Sequence, residues 1–191
     1  VRSVLVKKDM LPKSVYYELG GLYKQQQIAF RGLIVVMVAA VALVFLLLLF
    51  LYERFRVAAA ILAMPLLALA AVFIGLWLTG TELNITAMMG MTMVVGIVTE
   101  VAIFYFSEYH LLLDNGLSQA QALVEAGTNR MRPIAMTTLA AILALLPLGL
   151  GLGQGSAMQQ PLAIGIISGL VTQMPLVLLV MPVVFSRLER H

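Results

Sequence analysis

The sequence predicts an all-α membrane protein of five transmembrane helices, preceded by a short strand-and-helix remnant of an extramembrane region. Three observations carry that prediction. Of 191 residues, 62% are hydrophobic and 11% charged, whereas soluble domains carry about 25% charged residues. Five apolar stretches each come close to the roughly 20 residues that a helix needs to cross about 30 Å of hydrocarbon. One of them holds a carboxylate, Glu100, near its middle. A charge at that depth costs on the order of 3 kcal/mol on insertion scales, so it faces a bundle interior or a water-filled cavity.

Composition also excludes function classes. The chain has no cysteine, hence no disulfide framework and no thiolate metal site. The net charge of +3 is small and scattered, so nucleic acid is not an expected partner. No HExxH, GxSxG or P-loop pattern occurs, so no catalytic residue, metal site or cofactor is expected. The chain starts at Val1 without a signal peptide, and it reads as a piece of a longer protein.

Residues 1–31 form the only substantial polar region. Val15, Tyr17 and Leu19 alternate in Ser14–Leu19, the pattern of a short strand, and Gly20 and Gly21 end it. Leu22–Phe30 reads as a polar helix leading into the membrane. About thirty residues cannot bury a core alone, so this is expected to be the edge of a larger extramembrane domain. Residues 32–191 form the bundle.

The five membrane segments are read as Leu33–Leu51, Val57–Leu78, Ile85–Phe106, Ile134–Leu152 and Leu162–Phe185. Tyr52–Arg56 and Thr79–Asn84 break the first two pairs. Gly149–Gln160 is a glycine-rich, uncharged loop, and Pro161 suits a first helical turn, where no N–H is needed. A separate amphipathic helix is expected at about 118–127. Ser118 and Gln121 have the form of a capping box and Gly127 that of a C-terminal stop. Its apolar stripe is read as Ala120, Leu123 and Ala126.

Arg54, Arg56, Arg130, Arg132, Arg187 and Arg190 fall in alternate connections, which makes that set cytoplasmic. The N-terminal segment is then outside, despite Lys7, Lys8, Lys13, Lys24 and Arg31. Long translocated domains escape the rule, so a large exported domain and an earlier helix are expected.

Glu100 is the leading candidate for chemistry. Its helical neighbours Gly96, Ile97, Ile103 and Phe104 cannot neutralise it. A partner must come from another helix. The plain alternative is a buried acid tied to a hydroxyl or backbone group. Thr137 and Thr138 lie in the fourth segment, where a hydroxyl either bonds back to its own helix or bridges to another. The back-bonded arrangement is the plainer expectation. Arg130 and Arg132 read as interface anchors. Met88, Met89, Met91 and Met93 could bind a soft cation such as Cu(I), or simply fill gaps in the core, which is the preferred reading. Gly165–Gly169 is a small-xxx-small pattern that allows close helix contact. Glu108, His110 and Asp114 follow the third segment, and His110 has no metal-spaced partner. Pro175, within the fifth segment, should kink it.

These residues together resemble the C-terminal membrane half of resistance–nodulation–division (RND) efflux permeases. The resemblance rests on Phe50-Leu-Tyr-Glu-Arg-Phe55, Gly96-Ile-Val-Thr-Glu100 and Arg130-Met-Arg-Pro-Ile-Ala-Met-Thr137. Pro147-Leu148, Gly153-Gln-Gly-Ser156 and Met181-Pro-Val-Val-Phe185 follow in order. It implies the eighth to twelfth helices of that family, with residues 1–31 as the end of a periplasmic porter region. It also implies secondary active transport by proton antiport, not enzymatic catalysis. In the family a proton relay joins acids of the fourth helix to positions matching Glu100 and Thr137, and an arginine linked to proton passage matches Arg130. Drug pumps usually carry Lys where Glu100 stands, whereas heavy-metal pumps carry an acid. The implied partners are the N-terminal half, two further copies in a homotrimer, a periplasmic adaptor, an outer-membrane channel and membrane lipid. The implied location is the inner membrane of a Gram-negative cell. Three readings stay open: a proton-driven efflux permease of small molecules or cations, a heavy-metal exporter of the same superfamily, and a non-transporting assembly or translocation module with the same fold.

Overall fold

In a computed structural model that describes residues 22–188, five helices are long and apolar enough to cross a membrane. They are α1 (Leu22–Tyr52), α2 (Phe55–Leu78), α3 (Ile85–Asp114), α4 (Gln119–Gly149) and a fifth rod. The rod consists of α5 (Gln160–Pro175), a π-helical segment (Leu176–Val180) and α6 (Met181–Leu188). The expected strand at Ser14–Leu19 lies outside the described residues.

Most helices outrun the apolar segments. A helix of 31 residues such as α1 is about 47 Å long at ~1.5 Å per residue, well beyond the hydrocarbon. The polar turns Leu22–Phe30 thus continue directly into the first span. The link from α1 to α2 is only two residues, and Glu53 takes a positive φ of 51° to make it. Asn84 caps α3, its Oδ1 accepting from the Ala87 N–H at 2.9 Å.

The largest difference from expectation lies in α4. The helix expected at about 118–127 exists, but it does not stop at Gly127. It runs through Gly127 and Pro133 as one element to Gly149. Glycine costs only about 1 kcal/mol in a helix interior, and flanking turns that pack on α3 hold it. The Ser118 N–H and Oγ both donate to Gln121 Oε1, at 3.4 and 2.8 Å. Ala122, Leu123 and Ala126 form the buried stripe, while Ala120 is exposed. The Tyr105 hydroxyl on α3 donates to the Leu123 carbonyl at 2.7 Å, which ties the α4 start to the bundle.

In lipid, apolar burial gives little preference for helix contact, so close packing decides which faces meet. On α2, Ala58, Ile61, Pro65, Ala68 and Val72 are buried at three- and four-residue spacing. On α3 the buried line is Met91, Val94, Val98, Ala102, Tyr105, Tyr109 and Leu112. α5 is the hub and contacts α2, α3 and α4. A Cβ on Gly169 of α5 would stand 2.6 Å from both methyls of Val94, so Gly165–Gly169 does provide close contact. A Cβ on Gly90 of α3 would stand 2.9 Å from the Leu162 carbonyl oxygen of α5.

At the end carrying the arginines, motif residues meet. Phe106 contacts Tyr52 edge-on at 4.7 Å and stacks on Phe185 at 4.8 Å between ring centroids. Tyr52 and Phe185 belong to the two short motifs at the ends of the first and last spans. Pro175 expresses itself as the π segment that follows it. The Met181 N–H bonds the Leu176 carbonyl five residues back, the re-pairing that a helix makes where its ordinary ladder is broken.

Candidate functional site

One face of α3 carries Glu100, Phe104 and Glu108, each four residues apart and therefore stacked on a stripe. A matching stripe on α4 carries Arg130, Pro133, Thr137 and Ala141. Between them, with Leu170 and Gln173 of α5 as the floor, lies a groove of about 350 Å³. Glu100, Arg130 and Thr137 all line it, as do Thr138 and Gln173. The three residues expected from sequence to act together are thus brought to one cavity.

Glu100 is exposed on this open side. Among the described residues, none forms an ion pair or hydrogen bond with it. Thr137 is back-bonded, its hydroxyl donating to the carbonyls of Pro133 at 3.0 Å and Ile134 at 3.1 Å. Those carbonyls lie one turn back, the usual acceptors for a threonine within a helix. Thr137 itself stays exposed to the groove.

Arg130 is more than an interface anchor. Its Nη2 pairs with Glu108 Oε2 at 2.8 Å, and its guanidinium lies 5.8 Å from the centre of the Phe104 ring. The Asn129 amide donates to the other Glu108 oxygen at 3.1 Å. Glu108 therefore receives a donor on each oxygen, and α3 is stapled to α4 at the end of the groove. Sequence reasoning missed this pairing. The signal was the eight-residue spacing from Glu100 to Glu108, which needs α3 to continue past Phe106, as it does.

A model of the AcrB/AcrD/AcrF family matches residues 2–189, almost the whole chain. The chain belongs to the AcrB/AcrD/AcrF family, the RND permeases. Within this family it is 36% identical over 181 residues to the swarming motility protein SwrC of Bacillus subtilis (strain 168), covering 94% of this chain. Its fold matches two crystal structures of a heavy metal efflux pump. One gives a TM-score of 0.80 at 29% identity and the other 0.76 at 30%, each covering 100% of this chain. The chain spans 17% of the length of SwrC and 19% and 18% of the two solved chains. An RND permease is a multi-pass membrane transporter, and the five spans fit that class.

The methionines of this RND chain divide between two faces of α3. Met88 and Met91 are buried, at 4% and 3% exposure, while Met89 and Met93 face outward at 47% and 54%. Met88 and Met91 thus fill the core, whereas Met89 and Met93, four residues apart, lie on one outer stripe. His110 packs edge-on against Phe106 at 4.5 Å.

Gln173 went unnoticed in the sequence. It is 1% exposed, and its Nε2 lies 3.4 Å from the Thr138 hydroxyl, also buried. Its Oε1 has no partner among the described residues. The available signal was a lone amide in an apolar span, where polar side chains mark functional faces.

Proposed function

We propose that this chain forms one wall of the proton path of an RND efflux permease. Glu100 is the titrating group, with Thr137 beside it and Arg130 at the end of the groove. The permease exports small molecules or cations from the bacterial inner membrane by proton antiport. The single observation that carries this reading is the shared groove. Glu100, Thr137 and Arg130 come from two membrane-length helices and open on one cavity. The carboxylate there borders a space that no helix among the described residues fills. That space suits the helices of the other membrane half, which would supply the facing acids. A carboxylate facing such a gap can pair with a group of the other half and exchange protons as that pairing changes during a cycle. Glu108, by holding Arg130 at 2.8 Å, fixes the guanidinium in place at the arginine-rich end. That end is taken as cytoplasmic from the alternation of basic connections. The assembly reading is a homotrimer with a periplasmic adaptor and an outer-membrane channel.

Glu100→Gln in the full-length permease tests it. The change keeps shape and removes titration. Export from proteoliposomes under an imposed pH gradient should fall by about a hundredfold or more, the scale of losing an essential proton-transfer group. Thermal stability should be unchanged or higher, because no charge remains to be placed in hydrocarbon. Near-normal export would end the assignment and leave Glu100 a structural acid.

A second reading, heavy-metal export, has its own support. Glu100 is an acid where the drug pumps of the family usually carry Lys, and the two solved neighbours, at TM-scores of 0.80 and 0.76, are structures of a heavy metal efflux pump. Metal-cation and lipophilic-dye export by the same proteoliposomes separates the two cargo classes.

A further inference from the structure

We propose that Gln173 is a positioning residue of the groove, holding with Thr138 an internal water that hydrogen-bonds toward Glu100. The proposal rests on the Glu100 reading above.

A buried amide left half-paired costs about 1–3 kcal/mol. Turning the amide over does not help, because one end meets Thr138 and the other still meets nothing among the described residues. A leucine or methionine of similar size would fill the same volume without that cost. An orphaned polar atom in a native core points to a role or to an unseen water or ion. Gln173 and Thr138 are 1% and 3% exposed, and both line the same groove as Glu100.

Geometry then selects the occupant. A water takes about 30 Å³ in the liquid, a small part of the groove of about 350 Å³, so one can stay on the α5 side when helices of the other half enter the rest. An internal water needs about 2–4 polar partners. The Gln173 carbonyl, the Thr138 hydroxyl and the Glu100 carboxylate can supply them. Thr137 is a weaker candidate, because its hydroxyl proton is already committed to its own helix. The charged groups lining the groove are Glu100 from α3 and Arg130 from α4, and α5 adds Gln173 without a charge. Arg130 is engaged by Glu108. Gln173 therefore orders neutral water beside the carboxylate and exchanges no proton itself.

The test uses the full-length permease in lipid. Infrared spectra taken in H₂¹⁶O and H₂¹⁸O should show an isotope-sensitive O–H band of an internal water. That band should vanish in Gln173→Leu and in Thr138→Val. The C=O stretch of protonated Glu100, identified by its loss in Glu100→Gln, should shift its pH midpoint in both variants. Export at saturating substrate should fall about tenfold, the size of one lost hydrogen bond, with KM unchanged and thermal stability unchanged or raised. Gln173→Met provides the same apolar replacement should the leucine variant fail to insert. The proposal is overturned if the wild type has no such water band, or if both variants leave the band and the Glu100 midpoint in place. It is also overturned if export falls only in step with stability. These spectra do not need transport, so normal export by Glu100→Gln would sink the relay reading while leaving the water site separately decided.

Discussion

Gly169→Ala should destabilise the bundle, and Val94→Ala should rescue it. The added Cβ would sit 2.6 Å from Val94 Cγ1 and from Cγ2, and 3.2 Å from its Cβ. Carbon atoms prefer about 3.5–4.0 Å, so α5 must retreat by the order of 1 Å or Val94 must leave its rotamer. Overpacking of this kind costs about 1–3 kcal/mol. Val94 is itself 1% exposed, and Val94→Ala alone leaves a cavity the size of two methyls and costs about 1 kcal/mol in lost packing. In the double variant the new methyl on Gly169→Ala enters the space that the valine methyls vacate. The pair should therefore cost at least about 1 kcal/mol less than the sum of the singles, within the usual range of coupling between touching residues. Gly90→Ala is the contrast. Its obstacle is the Leu162 carbonyl oxygen at 2.9 Å and the Leu162 Cα at 3.4 Å, which no side-chain truncation removes. Leu162→Ala should leave that penalty additive. The assay is thermal unfolding of the full-length permease in a single detergent, read as shifts in Tm across both cycles. Additivity in the Gly169 and Val94 cycle, or rescue in the Gly90 and Leu162 cycle, would refute the close-contact reasoning.

Glu108→Gln removes the anionic partner of Arg130 but keeps an acceptor. It should lower stability modestly, on the order of 1 kcal/mol for a partly exposed pair, and the difference in Tm from the wild type should shrink as salt is added. Tyr105→Phe removes the 2.7 Å bond to the Leu123 carbonyl and should cost about 1–2 kcal/mol while loosening the α4 start, visible as faster amide exchange at Leu123–Gly127. Ser186→Cys, on an exposed position of α6, should stay unlabelled by an impermeant thiol reagent added outside intact cells. Labelling there would reverse the proposed orientation.

The spans were legible in the sequence because length and apolarity are local quantities, and the bilayer fixes both. The helix ends were less so. Gly127 and Pro133 look like punctuation, yet α4 runs through both, because the turns on either side pack on α3 and outweigh a glycine's propensity. The surface stripe differs at one position, with Ala122 buried rather than Ala120. Only contact with α3 sets that rotation. For the site, Glu100 could be chosen by the cost of a charge in a membrane span, and Thr137 and Arg130 only by the resemblance of their motif to the family. Their common groove could not, since it depends on the rotation of α4. The Arg130–Glu108 pair joins residues 22 apart. Gln173 was passed over because a lone uncharged amide carries no charge to be neutralised and belongs to none of the motifs. The cost of its unpaired end becomes visible only when the neighbours are in place.

α5 connects these two kinds of information. Gly169 and Gln173 are four residues apart, hence stacked on neighbouring turns of one helix. The contact that lets Gly169 lie against Val94 therefore also fixes how deeply Gln173 enters the groove. Two residues beyond Gln173, Pro175 ends the α-helical ladder and the π segment begins. The chain thus holds α5 by small-residue contact on one side of Gln173 and changes its hydrogen-bond register on the other. A helix pinned at one end and re-registered at the other presents its polar residue at a set depth. The effect of Gly169→Ala consequently reaches beyond stability. A retreat of α5 of the order of 1 Å is enough to lengthen a hydrogen bond of about 3 Å past its useful range. Gly169→Ala should therefore disturb the water band assigned to Gln173 and Thr138, and Val94→Ala should restore it together with Tm.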